Sequence, residues 1–325
     1  TRYQGSRRRG FPWLAYRNSD GNNSQTIGKK GVDTMAKTKK NSYQVQFSRK
    51  QAIAFAKEVT TTGNLPPMPD TFKAGSDWEY YYLKFSEFMS DGVPRFTIFV
   101  EGNDKLPFLH FGSMPVITCP GAGDCLNWCY SLTSIRYPAV FFRLLQNTLL
   151  VMRQDKALTD AFLALPKGIT IRLYVDGDFG DLATLEYWMH LISQRPDLES
   201  VYGYSKSWAL FLEYDAKHNG NWPENYALNI SSGSIYGEAM KQRMLKLDPV
   251  CRGEFVALQT PEKMPLKDKN PQAWAKWAKV LKDIGRANGY SKSFVCPGRC
   301  GTCTPMGHAC GLPQFKGTAI LIGIH

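Results

Sequence analysis

From residue 111 onward, short apolar runs that end in polar or glycine-bearing loops alternate with longer stretches of helical periodicity. Apolar runs of four to eight residues predict buried strands, and apolar positions three and four apart predict helices. Strands that alternate with helices indicate a parallel sheet with right-handed crossovers, and five or six units predict a partial or complete parallel β/α barrel. The predicted strands are 112–118, 169–175, 200–204, 226–230 and 254–259, and the predicted helices are 137–165, 182–194, 208–218 and 236–246.

The rest of the chain divides around this β/α core, which we place at residues 105–262. Residues 1–40 form a basic arm, and residues 41–104 contain a helix at 47–59, for which Ser48 is the predicted N-cap, and a β-rich segment at 95–101. Residues 263–325 contain a helix rich in Trp and Lys, a cysteine-rich C-terminal segment and a final strand at 318–324.

Charge is concentrated in the arm. Residues 1–40 carry ten Lys and Arg against two Asp, a net charge of +8 out of +12 for the whole chain. We expect a disordered, flexible arm, and contact with nucleic acid is its alternative role. No apolar run reaches the roughly 18 residues that cross a bilayer, and no secretory signal is recognisable, so we expect a cytoplasmic protein without a membrane partner.

Seven of the eight cysteines fall into two short segments, 119–129 and 296–310. Such close spacing is typical of metal ligands, whereas eight cysteines are few for a disulfide framework in a chain of 325 residues. We therefore predict metal sites and keep disulfides as the alternative. The predicted ligands are Cys119, Cys125 and Cys129 in the first segment and Cys296, Cys300, Cys303 and Cys310 in the second.

The first segment, CPGAGDCLNWC, leaves a predicted strand and turns through two glycines. We expect Cys125 and Cys129 on one face at the start of a helix, because they lie four residues apart. Three thiolates leave one position open, which suits a 4Fe-4S cluster with an exogenous ligand or a catalytic metal. A fourth ligand from Cys251, His308 or the second segment is the competing interpretation.

The second segment, CPGRCGTCTPMGHAC, holds four cysteines separated by glycine and proline, which permit tight turns. Four thiolates close a tetrahedral zinc site or a 4Fe-4S site without further ligands. Zinc would be structural, whereas an iron-sulfur cluster would allow redox chemistry, and the spacing leaves both open.

Polar residues follow three of the predicted strands. Two carboxylates two apart after the second strand are able to accept hydrogen bonds from an amine or a ribose, or to hold a metal. Since function gathers at the carboxyl ends of parallel strands, we expect a polar pocket that faces the cysteines. A turn that uses Asp and Gly for backbone reasons is the alternative. The candidate cofactor-binding residues are Asp176, Asp178, Ser205, Lys206, Asn229, Ser231 and Ser232.

This order of features resembles the radical S-adenosylmethionine enzymes: a three-cysteine loop after the first strand, a DGDF turn after the second, and β/α units throughout. The resemblance implies that Cys119, Cys125 and Cys129 bind a 4Fe-4S cluster, whose open iron binds S-adenosylmethionine. It also places the turn from Asp176 to Asp178 near the methionine amine. The spacing departs from that family: it is C-x5-C-x3-C here, and the usual C-x3-C-x2-C occurs only at 296–303. That later position fits an auxiliary cluster.

A closer resemblance, over roughly residues 105–310, is to the gene product 88 family of phage and plasmid proteins. It is carried by the segments CPGAGDCLNWCY, DGDF and YSKS. The resemblance implies metal binding and a mobile-element protein in the cytoplasm of a bacterial host. We therefore expect an iron-sulfur protein with one or two 4Fe-4S clusters, as a radical S-adenosylmethionine-like enzyme on an unknown substrate. The alternative is a noncatalytic, nucleic-acid-associated protein with a structural zinc or iron-sulfur site.

Overall fold

One eight-stranded mixed β-sheet organises the protein. The computed structural model describes residues 47–102, 106–301, 303–304 and 307–324, so the predicted basic arm lies outside the described residues. The sheet order is β1-β2-β3-β4-β5-β6-β8-β7, and every neighbouring pair is parallel except β1 with β2. The strands are β1 (Val100–Glu101), β2 (Leu109–His110), β3 (Thr170–Leu173), β4 (Ser200–Ser205), β5 (Tyr226–Ser231), β6 (Cys251–Gln259), β7 (Ser293–Val295) and β8 (Ala319–Ile324).

Nine α-helices are seen in the described part of the chain. They are α1 (Arg49–Thr62), α2 (Asp77–Asp91), α3 (Ser131–Ser134), α4 (Pro138–Met152), α5 (Lys156–Leu163), α6 (Leu182–Ser193), α7 (Trp208–His218), α8 (Glu238–Leu245) and α9 (Pro271–Ala287). Two short 3-10 helices, Asp124–Asn127 and Pro313–Phe315, complete the elements. None of the helices described is long and apolar enough to span a membrane.

Strands β2 to β6 lie side by side in chain order. Since crossovers between parallel strands are right-handed, this order places the connecting helices on one face of the sheet. Within the described residues the ladders form one open series, with no ladder between β1 and β7. A mostly parallel α/β sheet is therefore confirmed, whereas the ladder that would close a complete barrel is not among these pairings.

The two faces of the sheet differ in chemistry. Alternate residues of β3 to β5, such as Ile171, Val201 and Leu228, enter the large apolar core under the helices. The residues between them face the other way, where Tyr202 and Ile320 pack with the buried Ala309 and Cys310 of the C-terminal segment. The cysteine-rich segment thus covers the second face of the sheet, and the helices cover the first.

The N-terminal segment is joined to this core by aromatic side chains. Helix α1 begins at the predicted N-cap, where Ser48 and Gln51 form a reciprocal capping box, and it ends at Gly63 in the left-handed conformation. Trp78 of α2 lies 5.7 Å from Phe141 of α4, measured between ring centroids. The predicted helix 47–59 is confirmed, and the aromatic run WEYYYLKFSEFM that follows lies in α2.

Two secondary-structure predictions in the core are wrong. Residues 112–118 form turns rather than a strand, because the backbone at Val116 is left-handed (φ 71°) and Thr118 N bonds back to Met114 O. The first parallel strand is instead β2. The predicted helix 137–165 is two helices, since Gln154 adopts φ 50° and Asp155 caps α5 by accepting from Ala157 N at 2.8 Å.

Asn229 links three strands to the C-terminal segment. Its side chain is fully buried and donates to the carbonyls of Gly203 at 3.1 Å and Cys310 at 2.9 Å, while its Oδ1 accepts from buried Arg252. Loss of this side chain leaves Arg252 Nε and two carbonyl contacts without their partner, while the rest of the guanidinium still donates to the carbonyls of Phe315, Thr318 and Glu254.

We expect Asn229→Ala to lower the free energy of unfolding by about 2–4 kcal/mol, because buried polar groups of Gly203, Cys310 and Arg252 each lose a hydrogen-bond partner. Equilibrium urea denaturation measures this loss. The matched control is Asn64→Ala, at an exposed position, for which we expect a change within about 0.5 kcal/mol. A cost below about 1 kcal/mol for Asn229→Ala would contradict the assigned contacts.

Candidate functional site

The candidate site lies where the loops after β2, β3, β4 and β5 meet. Each of these strands runs parallel to the next, so their carboxyl ends share one edge of the sheet. Ligand sites of parallel α/β proteins form at this edge. The loops at this edge carry the first three cysteines, the DGDF turn, Lys206 and the segment 232–235.

The cysteine loop is held at this edge by backbone hydrogen bonds. Gly123 N and Cys125 N both donate to Gly233 O, at 3.0 and 3.2 Å, and Ile235 N donates to Gly121 O at 3.0 Å. A Cβ at Gly121 would lie 1.8 Å from Lys206 O, so only glycine permits this approach. The loop is thus fixed to the ends of β4 and β5, far along the chain from its own strand.

Cys125 and Cys129 do not share a helical face, and this prediction is wrong. Cys125 lies in the 3-10 helix Asp124–Asn127, and Trp128 leaves the helical conformation at φ −132° before Cys129 is reached. The bonds to Gly233 O tighten this turn, which cannot continue as an α-helix.

Asp178 joins the DGDF turn to the next strand end. Its carboxylate is 4% exposed and accepts from Lys206 N at 2.7 Å and from its own neighbour Phe179 N at 2.8 Å. Burial raises its pKa, and the Lys206 backbone hydrogen bond and charge oppose that change. Gly177 turns with φ 78°, and a Cβ there would lie 2.2 Å from Ser113 Oγ.

Asp176 faces a different partner. It accepts from Ser134 Oγ of α3 at 3.2 Å, and burial raises its pKa. The two carboxylates of the turn, although two residues apart, are therefore engaged separately, one toward α3 and one toward Lys206.

The other predicted polar residues divide into two groups. Lys206 Nζ donates to Ser231 Oγ at 2.9 Å, and the lysine charge acts on the cysteine loop. Ser205 Oγ instead accepts from Ser207 N at 3.0 Å, and Ser232 Oγ accepts from Ala257 N at 2.8 Å. The structure thus brings Asp178, Lys206 and Ser231 toward the cysteines, and Ser205 also hydrogen-bonds Asp178, whereas Ser232 and Asn229 bond to the surrounding chain.

The first three thiols are close enough to influence one another. Burial raises the pKa of Cys119 to about 12, and the charges of Asp178 and Cys129 raise it further, while Lys206 lowers it. Burial also raises the pKa of Cys125, against the charge of Lys206. Cys119 and Cys125 are therefore protonated near neutral pH unless a bound cation ionises them.

The second cysteine set lies on the opposite face from the helices, under the sheet. Cys296 Sγ accepts from Gly298 N at 3.4 Å and Cys303 Sγ accepts from Ala309 N at 3.3 Å. Burial raises the pKa of Cys296 to about 12 and that of Cys310 to about 11. Backbone N–H groups aimed at sulfur favour the thiolate, so these turns suit metal-bound cysteines.

Neither alternative fourth ligand is placed beside the first set. Cys251 is 2% exposed and packs in the apolar core under the helices. His308 lies between the rings of Tyr202 and Phe108, with centroids 4.7 and 4.9 Å away, near the second set.

The cysteine side chains meet some requirements of a metal site but not all of them. Within the described residues, all eight cysteines are free, and no group of three or more His, Cys, Asp or Glu side chains is arranged to hold a metal ion. The thiols of each set influence one another's pKa, so they are neighbours, but their sulfur atoms do not point at one common metal position. The thiol donors and the backbone positions of the cysteines suit metal binding. The cysteine side chains would still have to rotate toward a common metal position.

The fold and site define an α/β protein with a cysteine loop docked at the carboxyl edge of a parallel sheet. A sequence model described as gene product 88 matches residues 97–312, which include both cysteine sets, and the chain belongs to this family. The search of curated proteins found no match, and the search of solved structures found none either.

Sequence reasoning missed a basic group at the same edge. Arg172 lies in the middle of β3 and interrupts the apolar segment ITIRLYV, and Tyr204 stacks against it with 4.6 Å between the guanidinium carbon and the ring centroid. A charged residue within an otherwise buried strand is uncommon unless it has a partner, and that signal is visible in the sequence.

Gly121→Ala is expected to displace the cysteine loop, because its Cβ would overlap Lys206 O. Forced repacking of this kind costs about 1–3 kcal/mol. Urea denaturation measures the loss, and the rate at which a thiol reagent labels the folded protein is expected to rise about tenfold or more.

Gly237→Ala is the matched control, since nothing lies within 4 Å of a Cβ at that glycine and its φ is negative. We expect labelling to stay unchanged and stability to fall by no more than about 1 kcal/mol, because Gly237 is the N-cap of α8, where alanine is less favourable than glycine. Equal behaviour of the two alanine variants would show that the loop is not docked as described.

Proposed function

We propose that this protein is an iron-sulfur enzyme of the radical S-adenosylmethionine type. In this proposal Cys119, Cys125 and Cys129 hold a 4Fe-4S cluster, and the sheet is a partial β/α barrel around it. The observation that carries the proposal is the docking of a three-cysteine loop, by Gly123 N and Cys125 N on Gly233 O, at the carboxyl edge of parallel strands in chain order.

Strand order supports this function over other α/β proteins. The parallel strands of this sheet follow chain order, and the loop after the first of them bears three cysteines. This is the arrangement that the resemblance implies for radical enzymes. A dinucleotide-binding sheet reverses its order at a switch point, and β2 to β6 do not. The mouth formed by the strand ends is therefore the expected place for ligand and chemistry.

A bound cluster with one iron not held by protein would supply an electron to S-adenosylmethionine. The chain's own residues would prepare its surroundings. Lys206 brings a positive charge that favours anionic thiolates at Cys119 and Cys125. Asp178 holds Lys206 in place through its backbone N–H at 2.7 Å. Asp176, which accepts from Ser134 Oγ, lies in the turn where the resemblance places the contact to the methionine amine.

The second cysteine set has a separate role in this proposal. Cys296, Cys300, Cys303 and Cys310 supply four thiolates, enough to close an auxiliary 4Fe-4S cluster or a structural zinc site. Asn229 ties the carbonyl of Cys310 to the sheet at 2.9 Å, which makes this set part of the packing under β4 and β5. Residence in a bacterial cytoplasm, as the resemblance implies, belongs to the same proposal.

Production of 5'-deoxyadenosine tests the proposal. The protein is purified and reconstituted without oxygen, then given S-adenosylmethionine and a strong reductant, and the nucleoside is quantified by chromatography. We expect turnover by the native chain and a loss of at least about 100-fold in Cys119→Ser, Cys125→Ser and Cys129→Ser, because each variant removes one cluster ligand.

Cys251→Ala is the matched control, since this buried cysteine lies in the core under the helices. We expect its activity to be unchanged per bound iron. A native chain that binds iron yet forms no 5'-deoxyadenosine would contradict radical chemistry. Salt-dependent nucleic-acid binding that survives Cys119→Ala, again without the nucleoside, would favour the noncatalytic alternative.

A further inference from the structure

Three basic side chains on or beside β2 and β3 have no part in the proposed chemistry of the first cysteine set. His110 and Arg172 are register partners in the parallel strands β2 and β3, so their side chains lie on the same face. Arg143 comes from α4 and, like the other two, is half-buried. The charges of Arg143 and Arg172 both act on His110, which shows that the three side chains form one group.

Each member of this group has a nitrogen without a partner. His110 Nδ1, Arg143 Nε and Arg172 Nε are shielded from solvent and have no hydrogen-bond partner in the described part of the chain. A shielded polar atom of this kind costs free energy unless a ligand or water satisfies it. Three such atoms in one group are therefore expected to have a common partner.

The charges at this place do not balance. Asp176 acts electrostatically on Arg143 and Arg172, but it is one carboxylate against two guanidinium groups, and it already accepts from Ser134.

His110 adds no charge to the excess of one positive charge left by Arg143, Arg172 and Asp176. Burial, and then the charges of the two arginines, lower its pKa to about 4, so its ring is neutral near pH 7. While no metal ionises the second cysteine set, whose Cys300 lies beside Arg172, the group as a whole therefore lacks one negative charge among the described residues.

We propose that His110, Arg143 and Arg172 bind an anionic group, a phosphate or a carboxylate, of the substrate. Guanidinium groups present paired donors that match the oxygens of both anions, and a neutral imidazole adds one more donor. An anion here would supply the missing negative charge and acceptors for the three free nitrogens.

The position of this group relates it to the cysteine loop. Tyr130 follows Cys129 directly, its hydroxyl donates to Val175 O, and it interacts electrostatically with Arg172. The anion would thus be held beside the end of the cysteine loop, with the remainder of the substrate free to reach the mouth of the sheet. The word substrate rests on the proposed function, whereas anion binding does not require a metal.

Thermal unfolding of the full chain in inorganic phosphate, citrate or chloride at equal ionic strength tests the inference. A ligand that binds only the folded state raises the melting temperature with its concentration. We expect phosphate, citrate or both to raise it above the chloride value, and titration calorimetry to give at least about tenfold weaker binding in Arg143→Met. A response to phosphate alone assigns a phosphate group, and a response to citrate alone assigns a carboxylate.

Arg143 is the residue to change because Arg172 also contacts Tyr204 and Cys300. Arg153→Met, at an exposed position just beyond the same helix, is the matched control and should keep the full anion response. In chloride we expect Arg143→Met to melt no lower than the control, since it removes an uncompensated cation. A much lower melting temperature would identify a structural arginine and overturn the inference.

Equal melting in all three salts would also overturn it. Iron content and 5'-deoxyadenosine are measured on the same preparations, which separates the two proposals. Anion binding without iron would support the anion site and contradict the radical enzyme. Iron with nucleoside production but no anion response would support the radical enzyme and contradict the anion site.

Discussion

The arrangement of the site depends on one constraint, the docking of the cysteine loop onto the ends of β4 and β5. Backbone groups do this: Gly233 O receives two N–H groups of the loop, and Gly121 approaches Lys206 too closely for any side chain. Asp178 completes the junction by accepting from Lys206 N while it is almost fully buried. A buried carboxylate is costly unless it is hydrogen-bonded, so the turn, the strand end and the loop hold one another in place.

The two cysteine sets are consequently different in kind. The first lies at the open edge of the sheet, with three thiols, a lysine and neighbouring carboxylates, and it is short of a fourth protein ligand. The second is packed under the sheet, where Asn229 and Arg252 secure its backbone through Cys310 and Phe315. In the proposed function, chemistry with a small molecule therefore belongs to the first set, whereas the segment of the second set covers the face of the sheet that the helices leave open.

Sequence patterns predicted the parallel α/β sheet and helix α1, because alternation of apolar runs and a capping box are local signals. They failed at 112–118, where apolar residues form turns held by tertiary bonds to Asp176 and Thr148. The same cause defeated the prediction for Cys125 and Cys129, whose turn is set by Gly233, more than a hundred residues away. The basic group of His110, Arg143 and Arg172 was missed because its members come from three elements that only the fold brings together.

We propose that the docked first set holds an iron-sulfur cluster, and metal analysis of protein purified without oxygen is the direct test. Iron, sulfide and zinc per chain are measured for the native protein, for a variant with Cys119, Cys125 and Cys129 changed to Ser, and for one with the four later cysteines changed to Ser. If the first set holds a 4Fe-4S cluster, the first variant contains about four iron and four sulfide fewer per chain than the native protein, and the second cysteine set keeps its metal. Equal iron in the native chain and the first variant, or zinc in place of iron throughout, would contradict it.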